Sequence, residues 1–388
     1  MKHFYLILGL FSALFITSCG KDDVIDIPDT KTTNIVVNEN ITTNTTWTSD
    51  KIYELGGRIT VANGATLTIE PGTIIKGQAG TGPNATALLV ARGSKLIAEG
   101  TPNKPIIFTS VADEINPDDI EVGVFSSPNL DPTVNGLWGG IIILGYAPIS
   151  ASTTESQIEG IPTSDQNGLY GGNNSNDNSG ILRYVSIRHG GANIGSGNEI
   201  NGLTLGGVGT ATVIDNVEVV SNQDDGIEFF GGTVNATNIV VWNVGDDAID
   251  TDQGWSGTLD NFTIVTPLGH CFELDGPEGT LITGHTIKNG NVFASNDAIT
   301  SMDLINTDDN SIVDLRNIFI TDISTGQQIN RVEHNVGIVN FDNVLLNVTD
   351  LQAHVNGPIP TGVFVGDIPQ ANVSSLDWTW AFVGGVLN

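Results

Sequence analysis

The sequence predicts an all-β chain, a single right-handed parallel β-helix from which surface loops project. Short apolar runs recur along its second half, each preceded by an asparagine and each alternating in polarity as a strand does. Glycine is abundant, at 47 of 388 residues, and only 15% of the residues are charged. A period near 22 residues that stretches by a few residues is typical of stacked coils, each made of three short strands with variable corners.

The repeat places one asparagine at the same position of successive coils. The runs are DNVEVV, TNIVVW, DNFTIV, GNVFAS, RNIFIT and DNVLLN, and their asparagines are Asn216, Asn238, Asn261, Asn291, Asn317 and Asn343. Because each coil lies above the last, we expect these side chains to hydrogen-bond to one another, as in amide ladders. A leucine-rich repeat has a similar period, but its regular leucine spacing is missing here.

The N-terminal residues 1–18 are a predicted secretory signal, with Lys2, an apolar run and small residues before Cys19. The run is too short to span a membrane. The junction FITSC resembles a bacterial lipobox, which implies cleavage before Cys19 and its acylation, for example with palmitate. An ordinary secreted protein is the alternative. Residues 19–48 then form a flexible tether with few apolar side chains.

The β-helix itself is predicted over 49–350. Three stretches before the repeat have strand patterns bounded by Gly, Asn and Pro turns: 58–78, 94–110 and 136–150. The last of these has the unbroken apolar run of a parallel strand that is buried on both faces.

Two stretches break this rhythm, 111–135 and 151–180, and we predict that both project as loops from one corner of the coil. Residues 351–388 are a predicted C-terminal cap. Within it, Trp378 and Trp380 are expected to plug the open end of the helix, which would otherwise expose core and unpaired strand edge.

The charge balance excludes one class of partner. A net charge of −30 and a pI near 4.1 are the opposite of the basic footprint that nucleic-acid binding needs. With Cys19 acylated, Cys271 is the single remaining cysteine, so no intrachain disulfide is expected.

The acidic residues of the repeat fall into columns when DDGIEF, DDAIDT, GHCFEL and NDAITS are aligned. One predicted column contains Asp225, Asp247, His270 and Asp297, and a second contains Glu228, Asp250 and Glu273. Neighbouring coils lie about 4.8 Å apart. Carboxylates that close raise the pKa of one another or recruit a cation.

Several segments resemble the β-helix lipoproteins of Bacteroidota, a family with no assigned activity. They include GATLTIEPGTIIKG, GLWGGIIILGYAPI, YVSIRHGG and DDAIDTDQGWSG. The resemblance covers about residues 50–350 and implies a β-helix fold. Together with the acidic stretch GKDDVID after the lipobox, it implies a lipid anchor at the outer face of the outer membrane.

The order NQDDG, GDD, GH is similar to that of the polygalacturonases, which are solenoids of the pectin-lyase-like kind. This weaker resemblance implies that Asp225 and Asp246 or Asp247 do acid–base work and that His270 tunes them. The third motif here is GHC instead of GHG, and the basic RIK element of that family has no match.

The distribution of charge argues against an anionic substrate. Between Arg188 and Lys288 there is no Lys or Arg, against 14 Asp and Glu. A cleft without cations repels a polyuronate.

Two other interpretations of the acidic residues stay open. Stacked carboxylates supply the oxygens that Ca²⁺ prefers, and the predicted ligands are Asp246, Asp247, Asp250, Asp252, Glu228 and Glu273. Alternatively, Asp and Asn simply suit the backbone of β-helix corners and keep the chain soluble.

The predicted function is that of an outer-membrane lipoprotein acting as a non-catalytic binding or structural module, for a glycan or an envelope receptor partner. In that interpretation Trp242 and Trp255 stack on sugar faces. The alternative is a carbohydrate-active enzyme, a hydrolase or lyase, that uses the stacked aspartates.

Overall fold

The computed structural model describes residues 33–195, 199–330 and 338–387. They form the predicted right-handed parallel β-helix, whose coils stack as strands of two long parallel sheets. Loops of this part of the chain also contain a short antiparallel ribbon, β11 (Ser156–Gln157) with β12 (Leu169–Tyr170). Two short helices are α1 (Pro117–Glu121) and α2 (Trp380–Val383). Among the described residues, no helix is both long and apolar enough to cross a membrane.

The strands are numbered along the chain. The nine-stranded sheet contains β4 (Arg58–Val61), β7 (Ala87–Val90), β10 (Ile141–Leu144), β14 (Leu203–Gly206), β16 (Ile227–Phe230), β18 (Ile249–Asp252), β20 (Phe272–Leu274), β22 (Ile305–Thr307) and β24 (Ile329–Asn330). The fifteen-stranded sheet contains β1 (Thr33–Val37), β2 (Thr45–Trp47), β3 (Lys51–Leu55), β5 (Thr66–Ile69), β6 (Ile74–Gly77), β8 (Lys95–Glu99), β9 (Ile106–Ser110), β13 (Gly180–Arg188), β15 (Val213–Val220), β17 (Ala236–Trp242), β19 (Thr258–Val265), β21 (His285–Phe293), β23 (Ile312–Thr321), β25 (Ile338–Leu346) and β26 (Val363–Val365).

The inward-facing side chains of both sheets form one continuous apolar core. Leu205, Phe229 and Leu274 of the nine-stranded sheet are fully buried in it, as are Val241 and Ile264 of the fifteen-stranded sheet. Because every second residue of a strand faces inward, the alternate residues face outward, where polar side chains are free to form rows.

Each long strand of the fifteen-stranded sheet turns a corner at its middle. From β15 onward the corner residue is an asparagine with φ between 51° and 60°. Asparagine adopts this left-handed conformation at less cost than most residues, which explains its recurrence in the sequence.

The corner asparagines form the predicted amide ladder in part, since Asn238 Nδ2 donates to Asp215 Oδ1 at 2.9 Å and not to Asn216. Asn261 Nδ2 donates to Asn238 Oδ1 at 2.7 Å. Further along the axis, Asn317 donates to Asn289 and Asn343 donates to Asn317, each at 3.0 Å. The prediction that asparagines of successive coils bond to one another is therefore confirmed for these coils.

One ladder member was predicted wrongly, because Asn289 and not Asn291 stacks on Asn261. Asp260 pairs with Lys288, which fixes Asn289 at the corner. Asn289 donates to Asp260 Oδ1 at 2.7 Å, and this interrupts the ladder between the two halves. The spacing of corner asparagines is 28 residues at the next step, so the error came from aligning the apolar run and not the corner.

The β-helix starts earlier than predicted. Strand β1 pairs with β3, and β2 pairs with β5. The prediction of a tether over 19–48 is wrong for residues 33–48, because TNIVV and TTW have enough apolar residues to form edge strands on the first coil. The predicted signal, Cys19 and the rest of the tether lie outside the described residues.

The two predicted loops do not leave from one corner. The loop over 111–135 precedes β10 and contains α1, whereas the loop over 151–179 follows β10 and contains the β11–β12 ribbon. They therefore leave at opposite ends of that strand. Side chains of the second loop, including Ile158, Ile161 and Tyr170, cover the outer face of β7 and β10.

The C-terminal segment, residues 366–387, does not plug the end of the helix as predicted. It runs back along the outer face of the fifteen-stranded sheet and bonds to earlier coils one after another. Its contacts are Asn372 N–H to Asn261 Oδ1 at 2.6 Å, Ser375 Oγ to Asn238 Oδ1 at 3.0 Å, Trp378 Nε1 to Asn216 Oδ1 at 3.2 Å and Ala381 N–H to Glu218 Oε1 at 2.8 Å. The outer side of the ladder supplies most of these acceptors.

Candidate functional site

An outward-facing row of polar residues runs along the nine-stranded sheet. Strand pairing places Glu228 of β16 beside Asp250 of β18, and Asp250 beside Glu273 of β20. This confirms the predicted column of three acids. The row, called the outer row below, continues on either side with neutral polar residues, Thr204, Asn306 and Asn330.

A second row, the turn row, lies in the turns that precede these strands. Asp225, Asp247 and His270 stack there as predicted, since the following residues bond coil to coil. The next member is Asp303, which bridges to His270, and the prediction of Asp297 is wrong. Asp297 is exposed in the preceding loop. The segment MDLINT, which follows the order of DDAIDT, carried the signal for Asp303.

Asp247, His270 and Glu273 meet where the two rows touch. His270 Nδ1 lies 2.9 Å from Asp247 Oδ1 and 3.9 Å from Glu273 Oε1. The backbone N–H of His270 also donates to Asp247, and the N–H of Asp247 donates to Asp225 Oδ1 at 3.0 Å. On the other side of the ring, Asn306 Nδ2 is 3.0 Å from His270 Nε2. The imidazole thus lies between an amide and a carboxylate at ion-pair distance, with no aligned hydrogen bond from Nδ1.

Exposure differs between the members of this acidic site. Asp225, Glu228 and Asp247 are buried, whereas Asp250 and Glu273 are partly exposed and Asp246 is exposed. A ligand that approaches the nine-stranded sheet from solvent therefore meets Asp246, Asp250 and Glu273 before the buried carboxyls.

Burial favours the protonated form of several of these carboxyls. Burial first, and then the neighbouring carboxylates, raise the pKa of Asp225, Glu228 and Asp250 well above the ordinary range. The same causes raise the pKa of Asp224 to about 7. Asn201, which sequence reasoning did not single out, donates from Nδ2 to Glu228.

The pKa values of Asp247 and Glu273 are shifted in opposite directions. Burial alone would raise the pKa of Asp247, but hydrogen bonds from His270 and Glu273 and the His270 charge lower it below the ordinary value. Burial would lower the pKa of His270, but its contact with Asp247 raises it. Burial, followed by the hydrogen bond to Asp247, raises the pKa of Glu273 to about 8. An ionised carboxylate and a carboxylic acid therefore lie side by side near neutral pH.

The two tryptophans predicted to stack on sugars are buried, so that prediction is wrong. Trp255, 1% exposed, stacks on Phe229 inside the helix with ring centroids 4.0 Å apart. Its Nε1 donates to the Val234 carbonyl at 3.0 Å. Trp242, 6% exposed, packs edge-on against Trp380 beneath the C-terminal segment. Neither ring offers a face to a ligand.

Three sets of side chains bring potential metal-ligand atoms within 4.8 Å of one another: Asp247, His270 and Glu273; Asp224, Asp225 and Asp246; and Asp225, Glu228 and Asp250. Asp252, a predicted calcium ligand, belongs to none of these sets among the described residues. The third set is the best match to Ca²⁺, since all its donors are oxygens and it contains two of the predicted ligands.

The raised pKa values make stability depend on pH. A carboxyl that keeps its proton in the native state binds more protons folded than unfolded between its ordinary and its raised pKa, so stability falls as pH rises through that window. The window runs from about 4 to about 8, because the pKa of Asp252 is about 7 and that of Glu273 about 8. His270, with a raised pKa, acts in the same direction. We expect a higher melting temperature at about pH 5 than at about pH 8.

The variant that tests this is Asp250→Asn, which removes a partly buried carboxyl group but keeps the shape of the side chain. At alkaline pH it should raise the free energy of unfolding by about 1–3 kcal/mol and flatten the pH dependence. Asp342→Asn, at an exposed strand position, should change neither. A melting temperature that rises towards pH 8 would contradict the assigned protonation states.

Calcium stays a prediction, and the same melting experiment checks it. An ion bound by Asp225, Glu228 and Asp250 would displace their protons, and its positive charge would balance the three carboxylates. Millimolar Ca²⁺ should then raise the melting temperature most at alkaline pH, relative to protein in EDTA. Equal melting temperatures in Ca²⁺ and EDTA would show that this site does not bind calcium.

Comparison with known proteins bears mainly on the fold. A family model described as a pectate-lyase-like β-helix domain matches residues 39–358. No curated protein matches the chain. Among solved structures, it is similar to the catalytic unit of a thermostable GH87 α-1,3-glucanase from Streptomyces thermodiastaticus, with 15% identity and a TM-score of 0.31. That likeness covers 84% of this chain and 62% of the glucanase unit.

Proposed function

This chain belongs to the family of pectate-lyase-like β-helix domains, and from that premise we propose that it is a carbohydrate-active enzyme that hydrolyses a neutral glycan. The observation that carries the proposal is the contact of Asp247, His270 and Glu273, where the pKa values of two neighbouring carboxyls are pushed apart. Such pairs supply the acid and the carboxylate that glycoside hydrolysis requires.

The chemistry follows from the protonation states. Glu273 gives its proton to the leaving oxygen as the glycosidic C–O bond breaks. The ionised Asp247, held by His270, stabilises the positive charge that develops on the sugar. Asp246, exposed at the same turn, accepts a proton from the water that attacks the sugar carbon. Glu273 then regains a proton from solvent and Asp246 releases one, so the net reaction splits one water.

The substrate class follows from the charge of the site. The segment from 189 to 287 holds 14 acidic residues and no Lys or Arg. Glu159 and Glu199 from the flanking loops add to the field at Asp224. This surface repels polyuronates and admits neutral chains. The non-catalytic module predicted first has less support, because the tryptophans expected to bind sugars are buried.

A product assay tests the proposal. Purified protein is incubated with laminarin, dextran, pullulan, xylan and galactomannan, and with polygalacturonate as the anionic comparison. We expect new reducing ends from at least one neutral polysaccharide and none from polygalacturonate. Asp247→Asn should lower that rate about 100-fold or more, and Asp342→Asn should not. Absence of product from every neutral polysaccharide would overturn the proposal.

We further propose that the protein is anchored by a lipid on Cys19 at the outer membrane. The support is the sequence around Cys19, which resembles a lipobox followed by acidic residues. In cells of a bacterium that processes lipoproteins, the wild type should incorporate labelled palmitate and stay with the membrane fraction. Cys19→Ala should lose both the label and the membrane association. A variant that stays in the membrane fraction would contradict this location.

A further inference from the structure

Two exposed apolar side chains lie beside the acidic site. Leu268 is 51% exposed and Met302 is 63% exposed, on turns of consecutive coils that lead into β20 and β22. The N–H of Leu268 donates to the Val244 carbonyl at 2.9 Å, and the N–H of Met302 donates to the Gly269 carbonyl at 2.8 Å. Both residues are therefore held in the stacked turns and not in free loops.

The register of these turns places Met302 one coil beyond Gly269 and Asp246 one coil before it. The N–H of Gly269 donates to the Asp246 carbonyl at 2.9 Å, and His270 bridges to Asp303. Position 269 is thus flanked by an exposed carboxylate on one side and an exposed thioether on the other.

Gly269 has no room for a side chain, because the carboxylates of Asp246 and Asp247 lie against it. A Cβ atom at this position would lie 2.4 Å from Asp246 Oδ1 and 2.4 Å from Asp247 Oδ1. A glycine at this position therefore lets Asp246 and Asp247 keep their places beside the turn that carries Met302.

We propose that Leu268 and Met302 form an apolar platform on which one neutral pyranose ring packs, and that this ring is the one held beside Asp246. A pyranose presents C–H groups on one face and hydroxyls at its rim. The C–H face would cover the two side chains, and a rim hydroxyl would donate to Asp246. Met302 suits this role because its thioether adapts to the contour of a ring. This inference rests on the proposed function and assigns its substrate contact.

Affinity electrophoresis separates this inference from the proposed hydrolysis. Gels containing laminarin, dextran, pullulan, xylan or galactomannan are run with Glu273→Gln, which should bind without cleaving. We expect retardation in at least one gel. Met302→Ser and Leu268→Ser, each added to Glu273→Gln, should weaken the apparent affinity about fivefold to tenfold, by loss of apolar contact. Ile368→Ser, also 63% exposed but in the C-terminal segment, is the matched control.

Each outcome decides the inference. Retardation that Met302→Ser and Leu268→Ser each weaken about fivefold or more, and that Ile368→Ser leaves unchanged, supports the platform even if the wild type releases no product. Retardation that all variants retain, or no retardation in any of the five gels, overturns it. In an active wild-type background, Met302→Ser should raise KM with little change in kcat, whereas an unchanged KM would also count against the platform.

Discussion

Replacing Glu273 by glutamine is expected to lower turnover of the neutral polysaccharide by about 100-fold to 10,000-fold. Glutamine keeps the shape of the side chain and fits among the same neighbours, but it has no acidic proton to give to the leaving oxygen. Glu273 is only partly exposed and lies on a strand paired on both sides. The loss should therefore appear in kcat, with the melting temperature close to that of the wild type.

The pH profile distinguishes loss of an acid from general damage. Wild-type turnover should fall as pH rises through about 8, because Glu273 loses its proton there. In Glu273→Gln the residual activity should lack this alkaline limb. A variant that keeps wild-type turnover, or that keeps the alkaline limb, would assign the acid to another residue.

Replacing Arg188 by methionine should destabilise the protein by about 3–5 kcal/mol, the cost of leaving a buried charge without its partner. Arg188 and Glu218 are both almost fully buried, with Nη2 and Oε2 3.7 Å apart. Ser186 links them, accepting from Arg188 Nε at 2.7 Å and donating to Glu218 at 2.6 Å. The guanidinium lies 4.9 Å from the Trp380 ring centroid, so the C-terminal segment covers the pair.

A double variant tests the origin of this effect. Adding Glu218→Gln to Arg188→Met removes the orphaned charge and keeps an acceptor for the Ala381 N–H. Thermal and denaturant unfolding should show that the double variant is more stable than Arg188→Met alone. If the double variant is equally or less stable, lost packing and not an unpaired carboxylate explains the cost.

The sequence was sufficient to predict the fold and one of the two acidic rows. Both predictions depend on local features: alternating apolar residues, corner asparagines and the recurrence of an acid three residues before the outward carboxyl. In a β-helix each coil repeats the environment of the last, so a local pattern fixes a long-range contact. The contact of Asp247 with His270, for example, follows from the register alone.

The errors arise where that repetition fails. The loop before β22 is longer than the corresponding loops of the earlier coils. The turn row therefore continues at Asp303 and not at the predicted Asp297. The C-terminal segment carries no strand period, so nothing in it indicated that Trp378 would reach Asn216. The burial of Trp242 depends on that same distant contact. Exposure of an aromatic residue therefore could not be judged from its own strand.

Neighbouring carboxyls of the acidic site are held in different protonation states, and a carbon-13 NMR titration of the Glu side-chain carboxyls measures this difference at Glu273. Subtracting the spectra of Glu273→Gln isolates the signal of Glu273. We expect this carboxyl to titrate at about pH 8. A midpoint near the ordinary value for glutamate, about 4.3, would contradict it.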